Sequence, residues 1–215
     1  MRTLELFCGT KSFTKVAKKY VGLTITSDID KSFEPDICAS VFDLNFSKNE
    51  FDIIWASPPC ETFSIASVSH HWNKDRTPKG DKAKNGLKIL EKTISIIKEV
   101  KPKYWFIENP RGMMRKIIDE RLKGLDYKRE TVCYCRYGDT RMKPTDIWTN
   151  CFEWKPVNKM CHNGNPDHKS APRGSRTGTQ GLKDYKTRSI IPPLLFEDIF
   201  NSIELLLATF TKTHS

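Results

Sequence analysis

Apolar residues fall along the chain in two alternating rhythms. Short apolar runs at 2–7 (RTLELF), 23–29 (LTITSDI), 51–57 (FDIIWAS) and 103–110 (KYWFIENP) have the length and density of buried strands. Helical spacing separates them. Residues 12–20 predict a helix after the first strand, and Leu87, Leu90, Ile94, Ile97 and Val100 mark one face of a helix over 85–100. Further on, 111–125 predict a short helix and 128–135 and 145–151 two late strands. The last helix, 193–210, opens on Pro193 and gathers Leu195, Ile199, Phe200, Ile203 and Leu207 on one side. Such alternation predicts an α/β fold, a mostly parallel sheet with helices on both faces.

Two segments interrupt the pattern. Residues 61–84 are polar and predict a long mobile loop, and 153–188, rich in Pro, Gly, Asn and Lys, predict an irregular insertion. The expected organisation is one α/β domain over 1–150, a small insertion over 151–188, and a C-terminal helical segment over 189–215 that packs back on the domain. Charge sharpens the picture. The 36 Lys and Arg against 26 Asp and Glu give a formal charge of +10, which points to a polyanionic partner. Seven cysteines, an odd number without a secretory leader, point to reduced thiols and a cytoplasmic or nuclear location. No apolar run approaches the roughly 20 residues that span a bilayer, so no membrane partner is expected.

Candidate chemistry gathers at strand ends. Gly9 lets the chain turn tightly after the first strand, and Asp28 ends the second strand about 20 residues later, where nucleoside-binding folds place an acceptor for ribose hydroxyls. Pro58 and Pro59 stop the third apolar run and hold Cys60 in a stiff loop at the carboxyl edge of the sheet. Glu108 ends the next strand at that same edge. A thiol nucleophile and an acid beside a nucleoside pocket suit one reaction well: the thiolate adds to cytosine C6, a proton goes to N3, and C5 then attacks an electrophilic methyl.

In this order the residues resemble the cytosine-C5 DNA methyltransferase family, in the compact form found in phages and viruses. LFCGTKSF is similar to its first motif, SDID to its second acidic turn, SPPCETFS to its Pro-Cys nucleophile motif, FIENPRG to its Glu-Asn motif, and RSIIPPLLFEDIFNSI to its closing motif. The resemblance implies a Rossmann-like fold with S-adenosylmethionine as cofactor, lined by Phe7, Cys8, Gly9, Asp28, Ile29, Asp43 and Pro59. It implies Cys60 as nucleophile and Glu108 as acid. Residues 1–150 become the catalytic and cofactor-binding domain and 151–188 a reduced target-recognition region. The partner implied is double-stranded DNA with a flipped cytosine, met by a monomer; RNA, and methylation of an exocyclic N4 or N6 amine, are the alternatives. The family's second glycine is Lys11 here, the glutamine after its nucleophile is Glu61, and the valine after Glu-Asn is Pro110. Its Gln-x-Arg-x-Arg motif is replaced by YGDTRMKPTDIW, leaving Arg141 and Lys143 as cations for the substrate beside Ser57. Trp72, in the loop after Cys60, is placed to close over a flipped base, and the basic segments 69–84 and 169–188 to hold phosphates. No metal is assigned: Cys151, Cys161, His162 and His168 lack a Cys-x-x-Cys pair, and Cys133 and Cys135 fit one packed face of a strand.

Overall fold

The computed structural model describes residues 1–157, 160–162, 164–169 and 184–212, with side chains to 205 in the last helix. Its strands are β1 (Arg2–Leu6), β2 (Leu23–Asp28), β3 (Ile37–Cys38), β4 (Ile53–Ala56), β5 (Tyr104–Pro110), β6 (Lys128–Cys133) and β7 (Pro144–Thr149). They form one sheet in the order β3-β2-β1-β4-β5-β7-β6. Pairing is parallel from β3 through β5, and β7 alone runs against its neighbours. The chain works outward from β1 to β3, then returns to β4 and continues the other way. This reversal opens a crevice beyond the carboxyl ends of β1 and β4.

The pleat sends alternate side chains to opposite faces, and each face has its own helices. Ile54 and Ala56 of β4 pack with Leu90, Ile94 and Ile97 of α3 (Gly80–Val100). Ile53 and Trp55 pack on the other face with Phe13 of α1 (Ser12–Ala17) and with Phe196 and Phe200 of α6 (Pro193–Lys212). The Trp55 ring lies 4.8 Å from Phe196 and 5.7 Å from Phe13, centroid to centroid. By these contacts the end of the chain covers the start of the sheet.

Several expectations are corrected. Residues 61–84 are not a continuous loop: they contain α2 (Val68–His71), and α3 begins at Gly80 rather than at 85. The first turn of α3 is polar apart from Ala83, so it carries no apolar stripe to read. Trp72 is 3% exposed, and its indole N–H donates to the Thr62 carbonyl at 2.7 Å. It anchors this segment and is not available to close over a base. Within 111–125 only α4 (Met114–Ile117) is helical. Lys11, in place of the family's glycine, itself adopts the left-handed backbone with φ 57°.

Glu5 of β1 locks the turn that follows. It is 3% exposed, and its two carboxylate oxygens accept the N–H groups of Phe13 at 3.2 Å and Thr14 at 2.9 Å, at the start of α1. Burial pushes its carboxyl up from 4.5 to about 7 despite these donors. A folded value above the unfolded one means that its contribution is fully present below pH 4.5 and is lost as pH rises through about 7. The loss is at most about 1.4 kcal/mol per pH unit. Glu5→Gln is therefore expected to flatten the fall in unfolding free energy across that window, measured by denaturant melts at a series of pH values. An unchanged slope would place the proton elsewhere.

Candidate active site

Strands β4 and β5 pair in parallel, with Ala56 opposite Ile107; after Ala56 the chain leaves the sheet, while Glu108 to Pro110 continue β5 against β7 at that same edge. After β4 come Ser57, Pro58, Pro59 and Cys60. The prolines have no N–H to give, so the loop is held through other atoms. Ser57 N–H donates to the Leu6 carbonyl at 3.3 Å, while Ser57 Oγ accepts from the Trp55 indole at 2.8 Å. The Asn109 side-chain amide donates to the Pro58 carbonyl at 3.0 Å. Beyond the prolines, the Cys60 carbonyl accepts the N–H groups of Phe63 and Ser64, both at 3.0 Å. Gly112 completes the interlock: a Cβ there would stand 2.1 Å from the Phe63 carbonyl oxygen, so only glycine admits this approach.

Cys60 is half-buried. Burial pushes its thiol up, the Lys143 ammonium pulls it back down, and the carboxylates of Glu108 and Glu61 add to the rise. Both Lys143 and Glu108 thus act electrostatically on the sulfur. Glu108 is 5% exposed, and its Oε1 accepts the Tyr134 hydroxyl at 2.7 Å. Tyr134, fully buried just beyond β6, carries the Lys143 Nζ 4.9 Å above its ring. Sequence reasoning missed Tyr134 and Asn109. A buried tyrosine needs a hydroxyl partner, which is a signal, but the partner lies across β7 and is supplied only by the fold.

Arg141 is not a free cation facing the cleft. It is 3% exposed, with Nε 2.9 Å from both Asp139 oxygens and the rest of the guanidinium on the carbonyls of Arg188 and Ile190 at 2.9 Å and Thr187 at 3.3 Å. It ties the segment before α6 to the β6–β7 connection. Lys143 is only half-buried, and its charge reaches the Cys60 sulfur.

At the sheet reversal lies a cleft of about 290 Å³. Phe7, Asp28, Ile29 and Pro59 all line it, and Ile29 is 73% exposed. Gly9 stands beside it, its N–H donating to Asp28 Oδ2 at 2.9 Å; Asp28 Oδ1 accepts from Asp30 N–H at 2.9 Å. Asp43 is exposed between the lining residues Phe42 and Leu44 and does not itself line the cleft. Cys8 does not line it either: it is 4% exposed, and burial with the nearby Glu5 and Asp28 charges pushes its thiol up to about 12. Sequence reasoning missed Asn85 and Ile89, which α3 contributes to the cleft wall from more than 50 residues beyond Asp28.

A seven-stranded sheet with one reversed strand and a cleft at its switch point is the Rossmann-like α/β fold of the S-adenosylmethionine-dependent methyltransferases. The chain belongs to the C-5 cytosine-specific DNA methylase family, whose model matches residues 1–134. A Frog virus 3 protein named "Probable DNA (cytosine-5)-methyltransferase" is 28% identical over 218 residues, covering 94% of this chain and 99% of its own length. Among solved structures, the Entamoeba histolytica methyltransferase EhMeth superposes with a TM-score of 0.50 at 14% identity, over 74% of this chain. A prophage-encoded E. coli chain assigned as a DNA modification methyltransferase gives 0.50 at 15% identity, over 69%. This chain spans about half of those two structures, 56% and 46%, and at such identities they show the fold alone. Among the described residues no helix is long and apolar enough to cross a membrane.

In this arrangement the Tyr134 hydroxyl holds the Glu108 carboxyl. Tyr134→Phe removes a hydrogen bond to a carboxylate worth about 1.5–3 kcal/mol, so kcat for methyl transfer is expected to fall at least ~10-fold with the KM for nucleic acid little changed. Steady-state kinetics beside a thermal melt checks this; an unchanged kcat in a folded variant would remove Tyr134 from the site.

Proposed function

We propose that the protein transfers a methyl group from S-adenosylmethionine to C5 of cytosine in duplex DNA, with Cys60 as nucleophile and Glu108 as acid. The observation that carries this reading is the meeting of the Cys60 thiol and the Tyr134-held Glu108 carboxyl at the ends of two neighbouring strands, beside the switch-point cleft. The cleft suits the cofactor. The exposed Ile29 offers an apolar surface for a purine, and Asp28 at the tip of β2 offers carboxylate lone pairs to ribose hydroxyls. Phe7, Gly9, Asp28, Ile29 and Pro59 would hold it, with Asp43 at the rim. When bound, it supplies the electrophilic methyl group.

The chain's own residues then have distinct tasks. The Cys60 thiolate adds to C6 while Glu108 delivers a proton to N3, which pushes electron density to C5. Once C5 has gained its methyl, its hydrogen leaves as a proton to solvent and the Cys60 sulfur departs as the ring double bond reforms. Ser57, whose Oγ accepts from Trp55, keeps its own hydrogen to donate to the base. Lys143 stabilises the thiolate and, with Arg141 committed to Asp139, takes over the base-facing charge. Exposed Lys74, Arg76, Lys79, Lys82 and Lys84 ahead of the cleft residue Asn85 would neutralise phosphates. Of the second basic segment, 170–183 lie outside the described residues. Ile65, 67% exposed in the loop after Cys60, takes over from Trp72 the role of closing over the flipped base.

Bisulfite sequencing of DNA from cells expressing the protein tests this. Protected cytosines are expected with the native chain, none with Cys60→Ser, and a rate at least ~100-fold lower with Glu108→Gln. Methyl transfer surviving Cys60→Ser would point to an exocyclic nitrogen, and methylation confined to RNA would overturn the DNA substrate. The nucleophile also predicts a pH dependence. The thiolate is the active form and burial holds the sulfur protonated, so activity is expected to rise on the alkaline side. Removing the Lys143 charge raises the thiol further, so Lys143→Gln should move that limb to higher pH; a pH–rate profile that stays in place would contradict it.

A further inference from the structure

We propose that Cys133, Cys135, Cys161 and His168 form a tetrahedral zinc site that fastens the segment after β7 to the turn holding Tyr134. Cys133 is the last residue of β6, Cys135 lies in the 3-10 turn Tyr134–Tyr137, and Cys161 comes from the insertion. Their sulfurs all lie within 4.8 Å of one another, and all three residues are buried, at 0%, 6% and 7% exposure. The sulfurs of Cys133 and Cys135 are 3.7 Å apart. A tetrahedral ion with metal–sulfur bonds of about 2.3 Å needs sulfurs about 3.8 Å apart. His168 Nδ1 lies 3.2 Å from the Cys161 sulfur, though not within 4.8 Å of all three sulfurs, and would close in on the ion as its fourth ligand.

Packing alone gives this cluster little reason to exist. The cysteines form a small cluster of their own, with the partly buried Met142 the hydrophobic residue packed against them. The sequence KPVNKMCHNGNPDHK over 155–169 has too few apolar residues to be held by burial. Among the described residues its ties to the rest of the chain include an ion pair between Arg136 and Asp167 and the Lys169 N–H on the Thr140 carbonyl at 3.0 Å. A metal does for such a segment what a core does elsewhere. Three thiolates and an imidazole select a soft or borderline ion, and a set of four protein ligands with no open position is that of a structural zinc. On binding, the three thiols lose their protons to solvent and the imidazole binds neutral. Cys151 takes no part, because it packs with Trp154 and Tyr104 in the α6-side core.

Residue 134 lies between two of these ligands. The ion would fix the backbone on both sides of the tyrosine that holds Glu108. That consequence rests on the proposed function; the metal site itself does not.

The test is metal content and spectrum of the full chain. Protein made in zinc-supplemented cells is expected to hold about one zinc per chain by elemental mass spectrometry. Cys161→Ser and His168→Ala should each lower occupancy at least ~10-fold, while Cys38→Ser, an exposed thiol outside the cluster, leaves it unchanged. Cobalt-substituted native protein, which needs no variant, should show the sulfur-to-cobalt charge-transfer intensity of three thiolates with tetrahedral d–d bands. A folded chain that binds neither ion, zinc retained in full by Cys161→Ser, or a disulfide joining Cys161 to Cys133 or Cys135 would each overturn the site. Cys60→Ser separates the two readings, since it should abolish methylation and keep its zinc.

Discussion

The site depends on one buried hydrogen bond, from the Asn109 side-chain amide to the Pro58 carbonyl at 3.0 Å. Two consecutive prolines cannot donate to the sheet, so their carbonyls are what the protein can grip. The donor comes from the residue next to Glu108. A single dipeptide near the end of β5 therefore sets both the proposed acid and the loop that carries the proposed nucleophile, and the parallel pairing of β4 with β5 keeps the two in step. Gly112 and the Phe63 carbonyl close the same interlock from the other side of Cys60.

Around that bond the fold balances opposing requirements. Burial excludes water from the sulfur but disfavours thiolate, and Lys143 offsets part of that penalty. Glu108 is buried yet accepts the Tyr134 hydroxyl, so its carboxyl is oriented before any base arrives. The family's paired arginines have no direct equivalent in the described geometry. Tyr134 holds the glutamate, Lys143 supplies the charge, and Arg141 has become a structural tie on Asp139. On the proposed reading two side chains, Tyr134 and Lys143, share the work that the motif concentrates.

Much of this was legible in the sequence because it is local or periodic. Strands buried on both faces read as apolar runs, and the residues that follow β1, β2, β4 and β5 fall at one edge of a parallel sheet by topology alone. That logic placed Asp28 at the cleft and Cys60 toward Glu108, while Phe7, Ile29 and Pro59 were reached through the family resemblance. What was not legible depends on contacts between distant segments. Trp72 looked exposed in a polar stretch, yet one indole hydrogen bond to Thr62 buries it. Arg141 looked free until Asp139 and three carbonyls enclosed it. Cys133 and Cys135 read as one face of a strand, and nothing in the spacing tied them to Cys161 and His168.

The proposed chemistry turns on a bond between the Cys60 sulfur and C6 of the target cytosine. DNA carrying 5-fluorocytosine tests it most directly, because fluorine at C5 cannot leave as a proton and the adduct persists after methyl transfer. Incubation with S-adenosylmethionine, digestion and peptide mass spectrometry should find the modified nucleotide on the peptide containing Cys60 and on no other. Methylated product without any adduct, or an adduct on a different residue, would contradict the mechanism.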